Sequence, residues 1–188
     1  MGTGGDVVEV LTAAGIGLDY GTVRLERATS DWLAAGAHLQ RHLAATVPAP
    51  AVAVEYIGSS SVRGLLAKPI VDIAIGVAAG AALDPVDEAL RADRWIYRGD
   101  AGDEGGHVWV LEAHEWHRVA HIHVVDHGSA QWRNYLRFRQ LLDGSAEARR
   151  DYEAVKAELA VTHRDDRTAY TAGKATVVRR LLSRGAEG

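Results

Sequence analysis

Residues 69–77 read PIVDIAIGV, a nearly continuous apolar run with a single charge, Asp72. A strand solvated on one face alternates apolar and polar positions, whereas a run like this one is the pattern of a buried central strand. The chain is thereby committed to a domain built around a sheet. Asp72 adds a second constraint, because a carboxylate in such a strand is costly to bury without a cation, a hydrogen-bond network or a metal. The bland alternative is an aspartate capping a turn at the strand end.

A second strand is expected immediately upstream, at residues 52–57 (VAVEYI), and Gly58-Ser59-Ser60-Ser61 is the turn that follows it. Glycine lets a backbone approach a ligand closely, and successive N–H groups with serine hydroxyls can grip phosphate oxygens. Taken alone, a Gly-Ser turn after a strand is only a turn. Here Asp72 follows Ser59 after twelve residues, with Arg63 and Lys68 between them as cations for a phosphate or for Asp72.

The rest of the chain fits around this centre. Residues 7–14 read as a short helix, 23–26 as an extended piece, and 32–46 as a helix capped at Ser30 and ended by Pro48 and Pro50. Residues 84–93 form a helix with Pro85 at its first turn. Residues 95–97, 107–111 and 119–125 are strand candidates, with loops at 99–106 and 113–117. Beyond Gly128 the period becomes helical, at 129–142, 146–162 and 167–182. A mixed sheet with few helices is followed by a helical segment. One domain is expected at 23–188, preceded by a partly flexible extension at 1–22 whose first six residues are Gly-rich and unlike a signal peptide.

His121 and His123 stand two apart on a strand candidate and so share a face, which suits a metal, a phosphate contact or structural hydrogen bonding. His107, His114 and His117 add imidazoles nearby without completing a zinc motif. In the helical part Arg133 and Arg137 are four apart, as are Tyr170 and Lys174. Each pair reads as a solvated face on its own; together they could close over an anionic ligand.

Composition bounds the partners. The 188-residue chain has no cysteine, which excludes disulfides and thiolate metal sites and fits a cytoplasmic setting. With 21 basic and 25 acidic residues it has a net charge of −4, so no nucleic acid is expected, and no apolar run is long enough for a membrane. Its wealth of Ala, Arg and Gly suggests a high-GC bacterial source.

The segment from Glu55 through the Gly58-Ser59 turn, Lys68-Pro69 and Asp72-Ile73 resembles the GrpB-like family of the nucleotidyltransferase superfamily. His121-Ile122-His123-Val124, Gly128 to Trp132, Leu136 to Arg139, Tyr152, Lys156, Asp166-Arg167 and Tyr170 to Lys174 follow in the family's order. The resemblance implies an α+β fold: a nucleotidyltransferase-like mixed β-sheet flanked by helices, with a helical C-terminal segment. In the superfamily, acids on neighbouring strands hold two metal ions that drive nucleotidyl transfer. Asp72 occupies the first acid position, but Ala74 stands where the second would be, and His121 and His123 stand near the third. Arg63 stands where the family commonly has proline.

Two functions remain open at this point. One is a transferase acting on a nucleotide or other anionic small molecule. Gly58, Ser59, Ser60, Arg63, Lys68, Arg137, Tyr170 and Lys174 would hold the ligand. Asp72, His121 and His123 would be catalytic residues or ligands of a divalent metal, magnesium or a transition metal. The other is a binding or assisting module that kept the pocket without the chemistry, or else a metal-dependent enzyme of different chemistry that uses Asp72 with the His121/His123 pair.

Overall fold

The structure, a computed structural model, describes residues 4–100, 106–163 and 167–184. In chain order its elements are α1 (Gly4–Ala13), β1 (Leu18–Asp19), β2 (Glu26–Arg27), α2 (Ser30–Thr46), β3 (Ala51–Ile57), a 3₁₀ turn (Ser59–Ser61), β4 (Leu66–Ala67), β5 (Val71–Val77), α3 (Asp84–Ala92), β6 (Ile96–Asp100), β7 (His107–His114), β8 (His117–Asp126), α4 (Ala130–Gly144), α5 (Ala146–Thr162) and α6 (Arg167–Arg184).

The apolar run becomes β5, and its place in the sheet explains its composition. It lies between β3, antiparallel to it, and β8, parallel to it; β7 and β6 continue the sheet beyond β8, in the order β3-β5-β8-β7-β6. One parallel pair within an antiparallel sheet makes it mixed. Helices cover both faces, so β5 has no solvated side and no need of polar alternation.

On one face, Val71, Ile73, Ile75 and Val77 meet Leu11 of α1, Trp32, Leu39 and Leu43 of α2, and Val86 and Leu90 of α3. All of these are at most 2% exposed, and burying each such side chain fully contributes roughly 1.5–3 kcal/mol. On the other face, Ala74 with Ile57 and Val125 packs against Trp132 of α4. A third cluster joins Val62 and Leu65, just past the 3₁₀ turn, to Leu142, Tyr152, Val177 and Leu181 of the C-terminal helices. That cluster anchors the helical segment over the carboxylate-bearing face of β5.

Several local details differ from the sequence expectation. Thr29, not Ser30, caps α2: its Oγ1 accepts a hydrogen bond from the Trp32 N–H at 3.2 Å. Both residue types cap helices, and the three-residue spacing to the first free N–H selects Thr29. The loop expected at 113–117 shrinks to Glu115 and Trp116, because β7 runs on to His114 and β8 starts at His117. Residues 4–22 also share the domain's core: Val7, Leu11 and Ile16 pack into it, and Leu18–Asp19 pairs with Arg118 and His117 of β8. Residues 1–3, 101–105 of the 99–106 loop, 164–166, with Asp166 among them, and 185–188 at the end of the expected domain lie outside the described residues.

Candidate functional site

The site forms where β5 and β8 run side by side. Their parallel register sets Asp72 beside His121 and Ala74 beside His123, while β3 adds Ile57 and Glu55 to the same two rows. Because side chains alternate along strands, the acid and both histidines share one face. His121 Nδ1 lies 3.2 Å from Asp72 Oδ1, and His123 Nε2 lies 3.9 Å from the same oxygen. An ionised carboxylate can only accept, so His121 Nδ1 carries the proton and donates it.

Burial works against ionisation of Asp72, but the two imidazoles facing it outweigh burial and hold the carboxyl far below its usual range. For His121 burial is the stronger influence and lowers its pKa, with Asp72 opposing. The arrangement at neutral pH is therefore a carboxylate accepting from a neutral imidazole. His121 Nε2 and His123 Nδ1 are buried and find no partner among the described residues.

The turn after β3 is shaped by Asp72. Gly58 has φ 75° and ψ −179°, a backbone region open essentially to glycine alone. A Cβ there would sit 2.7 Å from Asp72 Oδ2. The glycine thus serves the close approach of backbone to carboxylate. Tyr56 holds the same turn from below, donating from its hydroxyl to the Ser60 carbonyl at 2.7 Å.

These residues border a cavity of about 430 Å³ between the sheet and the C-terminal helices. Ile57, Gly58, Ser59, Lys68, Asp72 and the two histidines come from the sheet side, with Arg118 of β8. The helices contribute Asn134, Tyr135 and Phe138 from α4, Tyr152 and Lys156 from α5, and Tyr170 and Lys174 from α6. Among the described lining residues Asp72 is the sole carboxylate. Lys68 Nζ stands 4.1 Å above the centre of the Tyr170 ring, a cation–π contact. Burial pushes the Tyr170 hydroxyl up to about 12, and this hydroxyl is buried without a partner among the described residues.

Among the described residues, no group of three His, Cys, Asp or Glu side chains is arranged to hold a metal ion. Asp72, His121 and His123 do converge, but both imidazoles are turned to one oxygen of one carboxylate: His121 donates a hydrogen bond to it and His123 Nε2 lies 3.9 Å away. A second carboxylate is missing at the expected place, since Ala74 is sealed in the core at 0% exposure.

Residues 22–184 match the family model described as GrpB protein. The chain belongs to the GrpB family. A UPF0157 protein from Deinococcus radiodurans is 36% identical to it over 140 residues, 73% of this chain and 70% of the relative. A second UPF0157 protein, from Streptomyces coelicolor, is 38% identical over 133 residues, covering 71% and 68% of the two chains. The crystal structure of the conserved protein GrpB from Enterococcus faecalis superposes with a TM-score of 0.71 at 23% identity, over 86% of this chain and 98% of that one, and shares the fold. No helix among the described residues of this GrpB-family chain is long and apolar enough to cross a membrane.

Of the residues singled out in the sequence, Gly58, Ser59, Lys68, Asp72, His121, His123, Tyr170 and Lys174 line this one cavity. Three do not. Ser60 is 2% exposed and turned into the protein beneath the turn. Arg63 is exposed beyond the turn. Arg137 falls off the α4 face that carries Asn134, Tyr135 and Phe138 into the cavity.

Arg118, Tyr152 and Lys156 were not foreseen as site residues. Lys156 is 1% exposed, and its Nζ donates to Ser59 Oγ at 3.1 Å and to the Leu66 carbonyl. Tyr152 and Lys156 stood among the residues that follow the family's order, and their four-residue spacing puts both on one helix face, but a lysine on a polar helix reads as solvated.

Proposed function

We propose that the cavity binds a phosphorylated small molecule, a nucleotide or a related phosphate ester. The observation that carries this reading is the meeting of Lys68, Lys156 and Lys174, from three separate segments, on one cavity beside the Gly58-Ser59 turn. Backbone N–H groups of such a turn, a serine hydroxyl and ammonium groups are the donors that phosphate oxygens take. The volume falls within the range of roughly 300–1,000 Å³ usual for small-molecule sites. Two polar atoms on lining residues, His121 Nε2 and the Tyr170 hydroxyl, lack partners among the described residues and offer hydrogen-bonding capacity to a ligand.

Binding without nucleotidyl transfer fits the residues best. Standard transfer needs paired carboxylates for its metal ions, and here Ala74 leaves Asp72 alone. A single carboxylate facing an anion repels it. Asp72→Asn is therefore expected to leave ATP binding intact or tighten it by up to about tenfold, measured by titration calorimetry with EDTA present. Affinity that depends on added Mg²⁺ or Zn²⁺ and collapses in Asp72→Asn would instead establish a metal-bridged site. Pyrophosphate release from ATP and pooled small acceptors, abolished by the same substitution, would establish a transferase.

A further inference from the structure

Lys156 stands apart from the other cavity lysines. It projects from the middle of α5 and is 1% exposed, while Lys68 and Lys174 keep partial contact with solvent. Its Nζ donates to two neutral oxygens, Ser59 Oγ at 3.1 Å and the Leu66 carbonyl, and lies 4.8 Å from the centre of the Tyr152 ring. Among the described residues it has no ion pair. Glu153, on the same helix, is engaged elsewhere: its Oε1 accepts from the Leu66 N–H at 2.8 Å and from Arg27 at 2.9 Å.

The charged and titratable groups around Lys156 are Lys174 on α6, Lys68 ahead of β5, Asp72 on β5, and Tyr152 and Glu153 on its own helix. Burial first, and then the charges of Lys174 and Lys68, hold its amine well below the usual lysine range, with Asp72 and Glu153 pulling the other way. An ammonium here needs an anion that the protein's own side chains do not provide at contact distance.

Resting on the reading of the cavity as a phosphate site, we propose that Lys156 is its proton-accepting anchor. A phosphate monoester dianion binds against Ser59 and Lys156, and one proton from solvent adds to the Nζ lone pair as it does so. No other bond is made or broken. The site thereby selects ligands with a terminal, doubly charged phosphate over phosphodiesters, because a single negative charge offsets less of the cost of a buried ammonium beside the charges of Lys68 and Lys174.

The test is calorimetric titration of the full chain with AMP, with inorganic phosphate as the minimal ligand, in two buffers of different ionisation enthalpy at about pH 7.5, where a phosphate monoester is mostly doubly charged. Net proton uptake, up to one proton per AMP, is expected. The cyclic diester 3′,5′-cyclic AMP, with the same base and sugar but one charge, is expected to bind at least roughly tenfold more weakly and without uptake. In Lys156→Met the uptake is expected to vanish and AMP affinity to fall by roughly tenfold or more.

AMP binding with no proton uptake by the unmodified protein, or uptake that persists in Lys156→Met, would overturn this role while leaving the phosphate site standing. An absence of binding by AMP and phosphate would overturn the phosphate site itself. The proton count on the unmodified protein does not depend on any variant folding.

Discussion

The ligand-free protein is expected to gain stability as the pH rises from the lowered folded pKa of Lys156 toward 10, with a slope from Lys156 approaching about 1.4 kcal/mol per pH unit. The sign follows from the direction of its shift. Folded, the amine sits well below the usual lysine range; unfolded, it returns to about 10.4. Between those two values the unfolded chain holds a proton that the folded one has released, so raising the pH favours folding. Below the folded value both states are protonated and the full cost of burying the ammonium applies.

Lys156→Met is expected to remove this slope, whatever it does to stability at one pH through the loss of the bonds to Ser59 and Leu66. Above about pH 10 both proteins lose stability as the pH rises, because burial raises the hydroxyls of Tyr56 and Tyr152, which the unfolded chain would ionise first. Urea unfolding at intervals up to about pH 9.5 reads the slope. Parallel slopes in the two proteins would show that Lys156 is not held deprotonated.

The second large effect is expected at Gly58. Gly58→Ala places a methyl group 2.7 Å from Asp72 Oδ2, at a backbone conformation an L-residue rarely adopts. The backbone strain alone costs roughly 1–3 kcal/mol, and overpacking adds roughly as much again. The relief available is movement of the Asp72 side chain, which would break its hydrogen bond with His121. A destabilisation of about 3 kcal/mol or more is expected by denaturant unfolding, together with loss of the hydrogen-bonded His121 Nδ1–H resonance in the NMR spectrum. A variant of unchanged stability whose His121 signal is intact would refute the account of this turn.

These two residues also mark how far the sequence could be read. The frame of the fold was legible because it rests on local patterns: an apolar run too continuous for a half-exposed strand, proline stops after α2, and a change to helical period after Gly128. The acid on β5 and the histidines on β8 were legible as neighbours in kind, but their pairing depends on the parallel register of β5 with β8, which spacing does not specify. Gly58 was read as a place for a ligand to approach the backbone; the approach it permits is that of Asp72.

Lys156 was noted in the family's order, but its place in the site was out of reach for a different reason. Its burial is created by α4 and α6 closing over α5, and the amino-acid pattern of α5 (AEARRDYEAVKAELAVT) is polar enough to pass for a solvated helix. Conversely, Arg63 and Arg137 looked suitable by charge and sequence proximity. The structure leaves them off the cavity because one follows the turn outward and the other sits on the wrong face of α4.

The central claim is that this cavity holds phosphate through its lysines. It is tested most directly by calorimetric titration of ATP into the unmodified protein and into the double variant Lys68→Gln, Lys174→Gln, in low-salt buffer. The account predicts saturable one-to-one binding that weakens by roughly a hundredfold in the double variant, since each lost charge-assisted contact is worth about 1.5 kcal/mol or more. Equal affinity in the two proteins, or no saturable binding of ATP, AMP or inorganic phosphate by the unmodified one, would contradict it.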